Sequence, residues 1–179
     1  MAKNNLNAND YLEIYRVAHN NAADLLKEAE LLFDHKCFAR AYALAFTALE
    51  EISKSQFAAD VFTGLCTGEE FERFYKDHKR KIQRATLVYR DANSYNLKWV
   101  GPDIDDFERI NPKEPNFNKR LNALYSGIDV ENQRILIPEE QISEKDAEEM
   151  IHVVQVALYE IMLVTEYYGN QIGTKGFEK

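Results

Sequence analysis

Two glutamates and a lysine, Glu50, Glu51 and Lys54, interrupt the alanine-rich apolar run FARAYALAFTALEEISKS at residues 38–55. A helix that is apolar nearly all the way round belongs in the centre of a bundle, where ionised side chains are costly unless paired. Partners are best sought in ERFYKDHKRKIQR, residues 72–84, where His78 shares helical spacing with Phe71, Phe74, Ile82 and Ala85 and Lys81 follows one turn on. A Glu-x-x-Lys and a His-x-x-Lys pair can therefore meet between neighbouring helices. An imidazole titrates near neutrality, so beside a carboxylate and fixed cations it can move a proton in catalysis. Two blander readings stay open. The same groups can form a buried Glu–His–Lys network that sets helix register and shapes a binding pocket, or Glu50, Glu51 and Lys54 can form an ordinary helical ion pair at the solvent edge.

The elements that must hold these residues are helical. Leu12, Tyr15, Ala18, Ala22, Leu25, Leu26, Ala29 and Leu32 recur at spacings of three and four, predicting a first helix that starts after Asn9 or Asp10 and lasts to about Phe33. The tight connection DHKC at 34–37 turns the chain back into a central helix over about 36–62, where Ala39, Ala41, Ala43, Ala45 and Ala48 let neighbouring backbones approach closely. Thr67 or Gly68 before Glu69 and Glu70 caps a third helix running to about Arg90. Trp99, Gly101, Pro102, Pro112 and Pro115 then predict an irregular insert over 92–137, with one short helix near 117–125 and a small hairpin between RILIP at 134–138 and the stretch across Gly127. Ser143 with Asp146 forms a capping box for a last helix, 143–169, that buries Met150, Val153, Val154, Ala157, Leu158, Ile161 and Val164. The expected fold class is all-α: one domain over 1–179, a bundle of four main helices with an irregular insert before the last.

Composition narrows the function classes. Seven Gly and four Pro against ten Tyr and ten Phe mean few turns and long elements, a globular chain rather than a disordered one. A net charge of −8 argues against a surface that binds nucleic acid or anionic membrane everywhere, so any such contact must be local. The local exception is Lys76, Lys79, Arg80, Lys81 and Arg84, which reads as a solvated helix face. Cys37 and Cys66 have no metal or disulfide spacing and read as reduced, partly buried thiols. His19, His35 and His152 show no metal pattern, and no phosphate loop, nucleophile elbow or dinucleotide fingerprint appears, so no cofactor or metal is expected. Tyr15, Tyr42, Tyr75, Tyr89 and Tyr159 lie on apolar stripes and read mostly as core or dimer-seam aromatics. Without an apolar signal segment or a spanning stretch, the expected location is the cytoplasm, with no membrane contact.

The run YALAFTALEEISKS, followed about twenty residues later by FYKDHKRK, resembles the AbiV family of bacterial abortive infection proteins. That family has an alanine- and leucine-rich helix ending in Glu-Glu-x-x-Lys, then His-x-x-Lys on the next helix. The segment NKRLNALYSGIDVENQRILIPEEQISEKDA fits too, with Arg120, Leu124, Tyr125 and Pro138 at the family's Arg, Leu-Tyr and proline positions. The resemblance implies a HEPN-like helical fold, a role in stopping phage propagation, and a homodimer. HEPN ribonucleases use an Arg and a His four to six residues apart, and Arg73 with His78 has that spacing. The resemblance then implies His78 as general acid or base, Arg73 with Lys81 stabilising an RNA phosphate, Glu51 orienting His78, and Glu50, Lys54 and Lys81 lining the binding site. Two departures stand against it: the pair lies in the third helix rather than the last, and Phe74 follows the arginine. Five residues turn an ideal helix by about 500°, so Arg73 and His78 diverge by about 140° unless the helix bends or a second subunit contributes.

The rival reading is a non-catalytic helical module that acts through a phage or host protein. A further alternative makes the acidic stretch 99–115 the docking surface of a two-gene system.

Overall fold

The computed structural model describes residues 6–78, 81 and 116–168, with side chains to residue 158. The expected third-helix residues from Ile82 to Arg90, the acidic stretch 99–115, and the side chains of Tyr159, Ile161 and Val164 lie outside these. The described chain is predominantly α-helical, with one two-stranded sheet.

Helix α1, Ala8–Asp34, starts slightly earlier than expected. Asn7 is its cap: the Asn7 side chain accepts the backbone N–H groups of Asn9 and Asp10, and the Asp10 carboxylate accepts the Asn7 N–H at 2.7 Å. The two residues expected to cap the helix thus form its first turn, with Asp10 completing the reciprocal box. At the far end Lys36 is left-handed, φ 60°, while the Cys37 and Lys36 N–H groups donate to the Leu32 and Phe33 carbonyls at 2.8 Å each. This paired closure is a Schellman motif, and it reverses the chain at once. It also leaves Cys37 exposed rather than partly buried, because the thiol sits outside the last turn with only the His35 carbonyl nearby.

Helix α2, Phe38–Phe62, runs back along α1 in the most extensive helix pairing of the described chain. Ala39, Ala41, Ala43, Ala45 and Ala48 are all buried, as are Ala22 and Ala29 of α1, so the backbones pack with little between them. Phe46, Leu49 and Ile52 fill the larger spaces. Each contributes about 1.5–3 kcal/mol through burial.

The far end of α2 carries a second apolar cluster with Tyr11, Tyr15, Ala58, Ala59 and Phe71. This cluster anchors α3, Gly68–Tyr75, whose first turn is closed by Thr67 and Glu70 in a capping box. Phe57 stacks on Phe74 with ring centres 4.0 Å apart, and Tyr11 meets Phe71 edge-on. The expected continuous helix through this region is broken. Helix α3 ends at Tyr75, and helical conformation resumes at His78, with the Asp77 carbonyl accepting the Lys81 N–H. Aspartate favours the start of a helix over its interior, and two residues suffice to redirect the chain.

Helix α4, Phe117–Leu124, is capped by Asn116 and packs on α2. Strands β1, Gly127–Asp129, and β2, Arg134–Leu136, form an antiparallel hairpin with Ile128 opposite Ile135. A single helical turn, α5, Pro138–Gln141, leads to α6, Glu144–Tyr168, which starts at the expected Ser143–Asp146 box. Met150, Val153, Val154 and Ala157 of α6 close the core over α2. Lys119 of α4 pairs with Asp146, tying α4 to the first turn of α6.

A lysine held at φ 60° carries a backbone penalty that glycine does not. Lys36→Gly should raise stability by about 1 kcal/mol, read as a thermal midpoint about 2–4 °C higher by differential scanning calorimetry.

Candidate functional site

Glu50 lies in the middle of α2, where the surrounding turns are apolar and only 7% of its side chain is exposed. Successive residues on a helix point about 100° apart, so Glu50 and Glu51 face different neighbours. Glu50 Oε1 is 3.0 Å from His78 Nδ1. The other oxygen, Oε2, is 3.8 Å from Arg120 Nη2 of α4. One carboxylate therefore joins three elements: the central helix, the segment that restarts at His78, and the short helix after the insert.

Glu51 does not meet His78. It pairs with Lys54 three residues along α2, and both side chains are mostly sheltered, which is not the solvent-edge pair of the blandest expectation. The group that orients His78 is thus Glu50 rather than Glu51. Lys81, expected on a solvated cationic face, is buried, with Nζ 5.1 Å from the centre of the Tyr75 ring. Lys54 Nζ approaches the same ring at 5.7 Å, so Tyr75 is an aromatic platform for two cations and is half exposed rather than part of the core. Burial lowers the Lys81 ammonium below the ordinary lysine value; Glu50 opposes that shift and Lys54 adds to it.

Arg120 takes a position that the motif search had given to Arg73. Its guanidinium lies 5.6 Å from the Phe46 ring centre and 5.8 Å from that of Phe117. Its Nη2 is 3.5 Å from Thr47 Oγ1, whose hydroxyl donates to the Ala43 carbonyl one turn back. Its buried Nε has no hydrogen-bond partner among the described residues. Arg73, by contrast, is exposed in the last turn of α3, and its Nε donates to the Glu69 carbonyl of the same helix. The bend that could have brought Arg73 round to His78 exists at Lys76–Asp77, yet no contact between the two appears among the described residues. The sequence did carry a cue to Arg120. It is a cation set between the apolar Phe117, Leu121 and Ala123 of a short helix, the same anomaly that singled out Lys54 on α2.

The His78 ring is anchored at one edge and open at the other. Its Nδ1 meets Glu50, its face lies 5.7 Å from Phe117, and 52% of its side chain is exposed. No partner of Nε2 lies among the described residues. A ring held in this way has its orientation fixed by a buried carboxylate while the second nitrogen can exchange protons with solvent or a ligand. Among the described residues Lys54, Lys81 and Arg120 cluster with Glu50 and Glu51, so the group mixes cations and carboxylates at close range. Among the described residues no three His, Cys, Asp or Glu side chains converge as a metal site. His19 and His152 are pulled below the ordinary histidine value by burial and lie on α1 and α6, away from this group.

Glu50 and Glu51 should differ sharply on neutralisation. Glu50→Gln leaves His78 and Arg120 without their shared acceptor charge and should cost about 2 kcal/mol, whereas Glu51→Gln should cost under about 1 kcal/mol, both by urea unfolding. Asp146, which holds α4 in place, gives a pH test. Burial raises its pKa, but the bonds from Lys119 and Ser143 outweigh this and hold it below 3.8. The stabilisation is therefore complete above about pH 4 and lost as pH falls through the lower folded value. Asp146→Asn should accordingly be less stable than wild type at pH 7, and the gap should narrow as the acid limb is scanned downward.

No helix of the described residues is long and apolar enough to cross a membrane. Comparison with curated proteins and with solved structures gives no match. The family model for AbiV, a HEPN group, matches residues 10–158, a span that contains all the residues from Glu50 to Arg120 that build the site. The chain belongs to the AbiV family of HEPN-type helical proteins.

Proposed function

We propose that this protein defends a bacterial cell against phage by abortive infection, acting in the cytoplasm as a metal-independent ribonuclease centred on His78. The observation that carries this is the His78–Glu50 contact at 3.0 Å, with half of the His78 side chain exposed and Arg120 on the same carboxylate.

RNA can be cut by its own 2′-hydroxyl. His78 Nε2 takes the hydroxyl proton, the freed oxygen bonds to phosphorus, and the imidazolium returns the proton to the 5′-oxygen as its bond to phosphorus breaks, giving a 2′,3′-cyclic phosphate end. The imidazolium formed is stabilised by Glu50, as a carboxylate stabilises the histidine of a hydrolase triad. Charge on the crowded phosphate is met by Arg120 and Lys81. Arg120 is favoured over Arg73 for this role because it shares the Glu50 carboxylate with His78. HEPN-type ribonucleases combine the motifs of two subunits, which supports a homodimer.

The same Glu50 geometry gives the rival reading its support, since a carboxylate bridging three elements can serve architecture alone. In that case the protein is a helical module that acts on a phage or host protein.

Purified wild type and the variants His78→Ala, Arg120→Ala and Arg73→Ala, incubated with total RNA in EDTA, separate the two. Cleavage should fall at least about 100-fold in His78→Ala with helical content unchanged, strongly in Arg120→Ala, and little in Arg73→Ala. Intact RNA with wild type, together with phage resistance that tracks the amount of folded protein across the variants, would overturn the nuclease in favour of the binding module.

A further inference from the structure

The β-hairpin carries the most exposed apolar side chains of the described chain. Ile128 and Ile135, directly opposite each other across the ladder, are 74% and 71% exposed, and Val130 at the turn is 80% exposed. Ile137, which follows β2 in extended backbone, falls on the same face as Ile135 by the alternation of a strand and is also exposed. The opposite face carries Leu136 over Gly127 and a polar group satisfied within itself. The Asp129 carboxylate accepts the Asn132 N–H, the Asn132 side-chain amide and Arg134 Nε, at 2.9–3.1 Å. These bonds hold the turn, so the hairpin is formed in advance. Its apolar face has no counterpart within the described residues.

Two strands are marginal in water and gain independent stability from a third strand or a covering helix. The two additions are not equivalent here. A third strand would hydrogen-bond to an edge and leave the isoleucine face in water, whereas a helix laid over the face removes it. A strand of three residues spans about 10 Å, the length of about two helical turns.

Charge selects the kind of helix. Glu131 at the tip and Glu139 and Glu140 at the base are exposed and have no ion-pair partner among the described residues, while Arg134 is held by Asp129. A second copy of this chain would bring the same acids face to face, in a chain of net charge −8. A partner with basic residues flanking an apolar stripe would meet opposite charge at both ends.

We propose that the Ile128–Ile135 face of the hairpin is a docking surface for a basic amphipathic helix of another protein, two or more turns long. Leucines or isoleucines at i, i+3, i+4 and i+7 cover Ile128, Val130, Ile135 and Ile137, and flanking Lys or Arg residues meet Glu131, Glu139 and Glu140. The surface is separate from the His78 site, so the proposal stands whether or not RNA is cleaved.

Fluorescent 16-residue peptides of this pattern provide the probe, one with Lys and one with Glu on the flanks, titrated into the full chain by anisotropy and followed by circular dichroism. The Lys peptide should bind at micromolar concentration and gain helicity, with at least tenfold preference over the Glu peptide. Ile128→Ser with Ile135→Ser should weaken it at least tenfold, and Glu131→Lys with Glu139→Lys and Glu140→Lys should reverse the preference. Both variants leave the helical core untouched, and matching far-ultraviolet spectra verify this. Equal binding of the two peptides, no binding by either, or affinity unchanged in the isoleucine variant would overturn the proposal. So would a dimer that sedimentation shows to vanish with the same isoleucines, since the occupant would then be a second copy.

Discussion

A carboxylate in the middle of the most apolar helix sets the terms for the rest of this structure. A carboxyl group buried among the alanines of α2 needs partners, because the cost of an unpaired buried acid exceeds what a single helix can offset. The compensation comes from His78 and Arg120, which arrive on two elements far apart in sequence. Helix α4 is short, and it would not be fixed by its own helical propensity, given that isolated helices of this length are marginal. The positions of both elements depend on anchors elsewhere. Phe71 and Phe74 pin α3 against the end of α2, and the Lys119–Asp146 pair with the Asn116 cap fixes α4.

The alanine packing of α1 against α2 has a functional consequence. Close backbone approach makes that pair a rigid spine, and the one side of α2 not occupied by α1 or α6 carries Phe46, Thr47, Glu50, Lys54 and Phe57 at helical spacing. A side chain on a rigid, central helix is positioned more tightly than one on a loop. The histidine arrives just after a two-residue break and is held by that helix's carboxylate, with the outer edge of its ring exposed.

Much of this was legible from residue types alone. The α2 alanine stripe, the Ser143–Asp146 box, the short helix near 117–125 and the hairpin across Gly127 are all local signals, and local signals survive folding because they are satisfied within a few residues. The meeting of Glu50 with His78 was also accessible, since an acid and an imidazole on apolar stripes each demand a partner. What the sequence could not show was which of two adjacent acids faces the histidine, because that turns on helix phase to within about 100°. Nor could it show that Asp77 restarts the helix, as Asp is tolerated in both roles until packing on Phe57 fixes the direction of α3. Arg120 stood at the family's arginine position, but its pairing with Glu50 was not legible for another reason. A motif search for an arginine near a histidine looks along the chain, while the arginine that shares the histidine's carboxylate comes from a helix on the other side of the insert.

The charge distribution links the site to its surroundings. A chain with eight excess negative charges repels polyanions at long range, yet Lys54, Lys81 and Arg120 gather beside Glu50 and His78. At physiological ionic strength opposing fields are screened over about 8 Å, so the distant acids weaken encounter without cancelling the local attraction. On the proposed reading, such a site would draw in a phosphate only once it is already close, and would favour strands presented by another molecule over free RNA in bulk. An exposed hairpin whose apolar face is rimmed by acids would suit that presentation. On the proposed docking reading it would hold a basic protein partner against the same negative surface that discourages nucleic acid, so repulsion of free RNA and attraction of its carriers would both follow from one distribution of charge.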